Sequence, residues 1–323
     1  MARVLVTGGA GYIGGHAALA LRDAGHEVLV YDNLSTGVAA QVHGAELVEG
    51  DLADAPLLSG TMKRFAPDLV MHFAASIQVG ESVQIPLSYY RNNSVNAINT
   101  LEAMLAHGVT KIIFSSTAAV YGEPSHSGLI RETDPLHPVN PYGTSKLISE
   151  TMLAELSRLG RLSYVALRYF NVAGADPAGR IGFDSLRSPH VIPRIFRAAL
   201  GTSEKIEIFG TDWPTPDGTC IRDYIHVSDL IDAHLLAMER LLAGGASDIF
   251  NVGYGHGFSV REVVDRAKEA CGVPFTVTEG PRRPGDPARL VADSAKIRAE
   301  LGWTPKRDDL AAICRDAWNW MRR

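Results

Sequence analysis

The chain has 323 residues, 46% hydrophobic and 21% charged, with a formal net charge of −5 at pH 7. At roughly 150 residues per domain, this is room for two domains or one large α/β unit, and the apolar share supports a sizeable core rather than disorder. Mild acidity gives no basic field for nucleic acid or anionic membrane, and no run approaches the roughly 18 apolar residues that span a bilayer, so neither partner is expected.

Short apolar runs alternate with longer amphipathic stretches over the first 170 residues. Val4-Leu5-Val6, Val28-Leu29-Val30-Tyr31, Leu69-Val70-Met71-His72-Phe73 and Ile112-Ile113-Phe114 read as strands buried on both faces. Stretches near 14–24, 54–66, 84–107 and 141–159 read as helices, and Tyr164 to Arg168 as a further strand. This alternation predicts right-handed βαβ crossovers and a doubly wound, Rossmann-like parallel sheet. After Asn171 the texture changes. Ala173 to Pro189 is rich in Gly, Pro, Asp and Ser and reads as a long functional loop. Beyond it come a helix near 191–200, a strand Ile206 to Phe209, and helices near 228–243, 259–271 and 308–321. The expected division is 1–170 and a smaller α/β domain over 171–323, with later segments able to return to the first sheet.

Thr7-Gly8-Gly9-Ala10-Gly11-Tyr12-Ile13-Gly14 lies between the first strand and the first helix. Glycines there let the backbone turn sharply and approach a pyrophosphate at the helix N-terminus. Any tight strand–helix turn could use glycines, but Asp32 ends the second strand 18 residues past Gly14. A carboxylate at that place can accept both adenosine ribose hydroxyls and repels a 2′-phosphate, which favours NAD over NADP. The bland alternative is that Asp32 caps the turn Asp32-Asn33-Leu34-Ser35. Asp51 is a weaker candidate for adenine recognition. Residues 1–170 are thus expected to bind NAD and 171–323 mainly the substrate.

Asn140-Pro141-Tyr142-Gly143-Thr144-Ser145-Lys146 has the form of a helix start, with Asn140 as N-cap and Pro141 at the first helical position. Tyr142 and Lys146, four apart, share a helix face. A phenol of pKa about 10 is a poor base at neutrality, but a neighbouring ammonium and the positive helix end favour the phenolate. Ser115-Ser116-Thr117 ends a strand on the side where a doubly wound sheet holds its ligand. The three cysteines, Cys220, Cys271 and Cys314, are far apart, and the eleven histidines form no HExxH. Neither a disulfide framework nor a metal site is expected. The start, Met1 to Thr7, has no apolar signal region, so the expected setting is a reducing cytoplasm.

These residues resemble the extended short-chain dehydrogenase/reductase family over essentially the whole chain, and within it the members that epimerise UDP-sugars at C4. The resemblance rests on Thr7 to Gly14, Tyr31 to Leu34, His72-Phe73-Ala74-Ala75, Val79 to Ser82, Tyr89 to Asn93, Ser115 to Gly122, Asn140 to Lys146, and Arg168-Tyr169-Phe170-Asn171. Its most specific stretch is Asp217 to Val227, followed by Pro281-Arg282-Arg283-Pro284-Gly285-Asp286. It implies that Tyr142 takes the proton of the sugar 4-hydroxyl while C4 passes a hydride to tightly bound NAD. The 4-keto sugar then turns over, and the hydride returns to its other face. Thr117 would bond the reacting oxygen and relay its proton, and Lys146 would hold the nicotinamide ribose. Cofactor contacts are implied for Gly8, Gly11, Tyr12, Ile13, Gly14, Asp32, Asn33, Leu34, Ser35, Asp51 and Leu52. Phe73, Ala74, Ala75, Asn92, Ser115, Tyr142, Lys146, Tyr169 and Phe170 complete that set. Substrate contacts are implied for Thr117, Tyr142, Asn171, His190, Val191, Ile208, Phe209, Arg222, Arg283, Asp286 and Leu290, with the arginines near the pyrophosphate. Such relatives commonly form homodimers through a four-helix bundle.

Two departures bear on the expected activity. Ile77 stands where well-known members carry a lysine, and Leu290 where a tyrosine often limits sugar size. UDP-glucose/UDP-galactose is the expected substrate pair; Leu290 could admit N-acetyl sugars, and UDP-xylose/UDP-arabinose is the alternative pair. A nucleotide-sugar dehydratase would need an Asp-Glu pair after the threonine, where this chain has Ala118-Ala119. A non-catalytic NAD-binding scaffold is disfavoured by Tyr142, Lys146 and Thr117.

Overall fold

The computed structural model describes every residue except 125, 184–189, 203–204 and 284–285. In chain order the first half gives β1 (Arg3–Thr7), α1 (Tyr12–Asp23), β2 (Glu27–Asp32), β3 (Glu46–Glu49), α2 (Ala55–Phe65) and β4 (Leu69–His72). Then follow α3 (Val79–Gln84), α4 (Pro86–Tyr89), a π-helical turn (Tyr90–Val95), α5 (Asn96–Ala106), β5 (Lys111–Thr117), α6 (Pro141–Arg158) and β6 (Ser163–Tyr169). The second half gives β7 (Asn171–Ala173), α7 (Val191–Ala199), β8 (Ile206–Phe209), β9 (Ile221–Arg222), β10 (Tyr224–His226), α8 (Val227–Leu242) and β11 (Asp248–Val252). It ends with β12 (Phe258–Ser259), α9 (Val260–Cys271), β13 (Val277–Gly280), β14 (Arg289–Leu290), α10 (Ala295–Leu301) and α11 (Leu310–Met321).

Among the described residues the main sheet runs β3-β2-β1-β4-β5-β6-β11, with every neighbouring pair parallel. Side chains alternate along its strands, as a two-residue repeat requires. Val4, Val6, Val28, Val30, Met71 and Val165 enter one core, shared with α1 and α8. Leu5, Leu29, Tyr31, Val70, Ile112 and Phe114 enter the other, shared with α2 and α5. Both faces are covered, which is why these strands read as nearly continuous apolar runs. The chain leaves β1 toward β2 on one side and returns through β4 on the other, so a crevice opens above the C-terminal ends of β1 and β4.

The helix predicted near 84–107 is the helical run Pro86 to Ala106, made of α4, the π turn and α5, with α3 a separate short helix before it. Pro86 starts a new helix, because it lacks an N–H to continue the old one. The π turn then inserts an extra residue ahead of α5. Of the predicted loop Ala173 to Pro189, residues 184–189 lie outside the described residues, as do Pro284 and Gly285 of the later motif. The second half also contributes small sheets: β10-β7, β12-β9-β14 and β13-β8. Its strand β11 returns to pair with β6 in the main sheet. No described helix is long and apolar enough to cross a membrane.

Candidate active site

The glycine loop is shaped by close backbone approach. Gly8 sits at φ +71, and a Cβ there would lie 2.5 Å from the Ala74 backbone nitrogen. A Cβ on Gly14, in the first turn of α1, would collide with the Gly8 carbonyl oxygen. Gly11, by contrast, is the N-cap of α1 with no side-chain cap, and a Cβ there meets only Gly8 O at 3.3 Å. The open helix end between these tight points is the cradle a pyrophosphate needs. Asp32 is buried at the end of β2 and ties the loop: Ala10 N donates to Oδ2 at 2.9 Å and Leu34 N to Oδ1 at 2.8 Å. The carboxylate therefore caps the turn, and each oxygen keeps a lone pair for a ribose hydroxyl. Asn33 donates to Asp51 Oδ2 at 2.8 Å, and Ser35 donates to Asn33 Oδ1, forming an exposed rim beside buried Leu52. Tyr12 reaches the other way, donating to the Gly174 carbonyl at 2.8 Å, while Ile13 packs on the core.

Asn140 caps α6 by accepting from Gly143 N at 2.9 Å, with Pro141 next, as predicted. This sets Tyr142 and Lys146 on the buried face of α6, over the end of β5. Burial pushes the Tyr142 phenol up, and the neighbouring Thr117 hydroxyl moderates that push. Thr117 Oγ1 accepts from Ala119 N at 3.1 Å, which fixes the hydroxyl at the strand's end. Lys146 is 2% exposed, and Nζ donates to the Ser115 carbonyl at 2.7 Å and lies 4.9 Å from the Phe114 ring centre. Burial lowers its pKa to about 7, with the Glu150 carboxylate opposing. Ser115 Oγ is bonded to the Tyr169 hydroxyl. His72, beneath, is bonded to Thr7 Oγ1 at 2.9 Å; burial first, and then the Lys146 charge, lowers it to about 3, so it is neutral.

Phe73, Ala74 and Ala75 leave β4 as partly buried residues over the crevice, and Phe73 packs on the His234 ring at 4.9 Å. Asn92 comes from the π turn and donates to Ser76 Oγ at 3.1 Å. Its neighbour Asn93 was not singled out from sequence, yet it organises this wall. Its side chain accepts from Ser76 N at 2.8 Å and donates to Ser76 O at 3.0 Å and Ser145 Oγ at 2.9 Å. The only sequence signal was an amide pair, Asn92-Asn93, inside an otherwise amphipathic stretch.

The second half brings its candidates to the same opening. Arg222 is buried on β9, in register with Leu290 on β14, and Leu290 packs with Phe170 and Ala118. Asp286 stands between two arginines: 2.9 Å from Arg283 and 3.6 Å from Arg222. Arg283 lies over the Phe209 ring at 4.9 Å. Ile208 points into the core instead. Asp223, unnoticed from sequence, locks this arm by accepting from the backbones of Tyr254, Gly255 and Ala292, and its carbonyl accepts from Asn171 N. His190 occupies the N-cap position of α7 ahead of partly buried Val191, its ring edge-on to Phe183 at 6.1 Å. Ile77 is exposed at the rim. Among the described residues no His, Cys, Asp or Glu cluster could hold a metal ion.

Residues 4–253 match the NAD dependent epimerase/dehydratase family. The UDP-glucose 4-epimerase of Azospirillum brasilense is 54% identical over 321 residues, covering 99% of this chain and 92% of that protein. The crystal structure of UDP-glucose-4-epimerase from Stenotrophomonas maltophila, with bound NAD and formylated UDP-arabinopyranose, superposes with a TM-score of 0.95 at 40% identity, covering 100% and 98%. The UDP-Glc/GlcNAc 4-epimerase of Campylobacter jejuni does so at 0.87 and 45%, covering 100% and 99%. A glycine cradle and tyrosine–lysine helix on a doubly wound sheet, with this likeness along nearly the full length, place the chain in the NAD dependent epimerase/dehydratase family.

Proposed function

We propose that this chain is an isomerase, an NAD-dependent UDP-sugar 4-epimerase that interconverts UDP-glucose and UDP-galactose through a 4-keto intermediate. The observation that carries this reading is the pairing of a buried phenol, Tyr142, with the Thr117 hydroxyl that acts on it at the end of β5, one helical turn from buried Lys146 and across the crevice mouth from the glycine cradle. Gly8 to Gly14 and Asp32 would hold NAD, which would supply the hydride acceptor and donor. Tyr142 takes the proton of the 4-hydroxyl, and Thr117, next to the phenol, relays it. Lys146, one turn along the same buried face of α6, would favour the phenolate by its charge and direct its donors toward the nicotinamide ribose. Ser115 and Tyr169 hold the strand end below, and Phe73 and Asn92 line the cofactor.

Residues 171–323 serve mainly the nucleotide sugar. Arg222 and Arg283 suit a pyrophosphate, which would take over their guanidinium forks and release Asp286 toward a hydroxyl. Leu290 leaves more room at the sugar than a tyrosine would, so N-acetylhexosamines are a further substrate pair, and UDP-arabinose is the alternative. Dehydration is disfavoured, because Thr117 leads into buried Ala118, with no acid–base pair. Val95 and Ile98 of the π turn and α5, with Ile148 of α6, are exposed and apolar, which favours a homodimer across those helices. Cys220, Cys271 and Cys314 are all free thiols, in keeping with a reducing cytoplasm.

The test is turnover of UDP-galactose, UDP-N-acetylgalactosamine and UDP-arabinose side by side, with deuterium at sugar C4. Retention of the label in the epimerised product is expected. Loss of label to solvent, or bound NAD without turnover of any of the three, would retire the reading.

A further inference from the structure

Lys146 is almost shut off from water, and its side-chain nitrogen meets a carbonyl and a ring face. A buried charge of this kind needs an opposite charge to remain ionised. The nearest candidate lies one turn along α6. Glu150 is 3% exposed and faces the same side of the helix as Lys146. It is clamped from two strands at once. Arg168 of β6 donates from Nε to Oε1 at 3.0 Å and from its terminal nitrogen to Oε2 at 2.6 Å, and Ser116 of β5 donates its hydroxyl. Ser116 and Arg168 are direct register partners, so the carboxylate sits on one rung of the sheet. Lys146 sits on the adjacent rung, at Ser115. Arg168 is held in turn by the Tyr121 hydroxyl at 2.9 Å, Tyr121 by Asn251 at 2.7 Å, and the Asn251 backbone by Glu132 at 2.8 Å. Charges alternate along this row, from Lys146 through Glu150 and Arg168 to Glu132.

We propose that Glu150 is a positioning residue for the proton transfer: clamped by Arg168 and Ser116, it keeps Lys146 an ammonium and fixes it on the strand end beside Tyr142. The proposal rests on Lys146 acting on Tyr142 as read above. Other ionisable groups around Lys146 offer no substitute anion. His72 on β4 is neutral, and Tyr142 and Tyr169 are held protonated by burial in the protein alone. Tyr89 on α4 is bonded to Glu81 at 2.7 Å, on the outer side of the wall, where Glu81 is exposed. Glu150 is the carboxylate that bears on Lys146 from within the fold.

The experiment compares the NAD-bound enzyme with Glu150→Gln, which keeps the shape and one acceptor but removes the charge. Lys146 titration is read by NMR on lysine labelled at Cε, assigned with Lys146→Met, alongside the pH profile of kcat. In Glu150→Gln the Lys146 midpoint should fall by about one pH unit or more, and the alkaline limb of kcat should move down with it. Glu150→Asp keeps the charge but withdraws it, and should give a smaller fall in the same direction. An unmoved midpoint in folded Glu150→Gln, even with a lowered melting temperature, overturns the proposal; if that variant does not fold, an unmoved midpoint in Glu150→Asp does so. A midpoint that falls while the kcat profile stays put supports the Glu150–Lys146 link and counts against the Lys146 role on which it rests.

Discussion

The proposed cofactor side and the proposed sugar side of the crevice are built differently. On the first, backbone geometry does the shaping: Gly8 and Gly14 allow contacts that no side chain would, and Asp32 is fixed by two amides. On the second, side chains on short strands and loops do it: Arg222, Asp286 and Arg283 form a partly exposed ion cluster. A backbone cradle costs nothing to arrange when the ligand arrives, whereas ion pairs must exchange partners. The contrast suits a cofactor that stays and a substrate that comes and goes.

The largest effect should come from the point where the two sides meet. Tyr142→Phe removes the proposed acid–base hydroxyl and should lower kcat about 10³-fold in initial-rate assays, with the melting temperature nearly unchanged. A near wild-type rate would remove Tyr142 from the chemistry. On the nucleotide side, Gly14→Ala forces a methyl onto the Gly8 carbonyl and should destabilise the fold by about 3 kcal/mol in denaturant titration. A neutral result would show that the cradle yields more than its geometry implies. On the sugar side, Arg222→Ala should raise KM for UDP-galactose about 30-fold and leave kcat within about twofold, the signature of uniform binding lost.

Lys146 gives a smaller effect of opposite sign. Its folded pKa, about 7, lies below the ~10.4 of unfolded lysine. The cost of burying it charged is therefore fully present below neutral pH and fades as pH rises toward the unfolded value. Lys146→Met should lose activity yet melt a few degrees higher near neutrality, with the gap closing in alkaline buffer; equal melting curves at neutral pH would contradict this. Smallest of all, Arg283→Ala should raise KM only about threefold, because Arg283 is exposed and its pairing is screened.

The sequence made the central sheet and the α6 start legible because both rest on local rules. Strands of five to seven residues such as β1 and β5 carry a readable pattern, and Asn140-Pro141 is an explicit start signal. Strands β9, β12 and β14 have two residues each, too few for any period to register. The π turn inside the helix near 84–107 leaves no local signature, because the amphipathic pattern continues on either side of it. Glu150 and Arg168 were overlooked for another reason. Charges on a helix and at a strand end ordinarily face solvent, and only tertiary packing shows that these two face each other in the dry interior. Of the implied substrate residues, Ile208 faces the core because β8 alternates inward and outward, and Phe209 takes the outward place.

Strand β11 has a consequence for dissecting the molecule. It arrives late in the chain to cover the flank of β6, so a fragment ending near residue 171 would leave that flank's amides and carbonyls bare. Such a fragment should self-associate through the uncovered ladder rather than survive as a free cofactor-binding module.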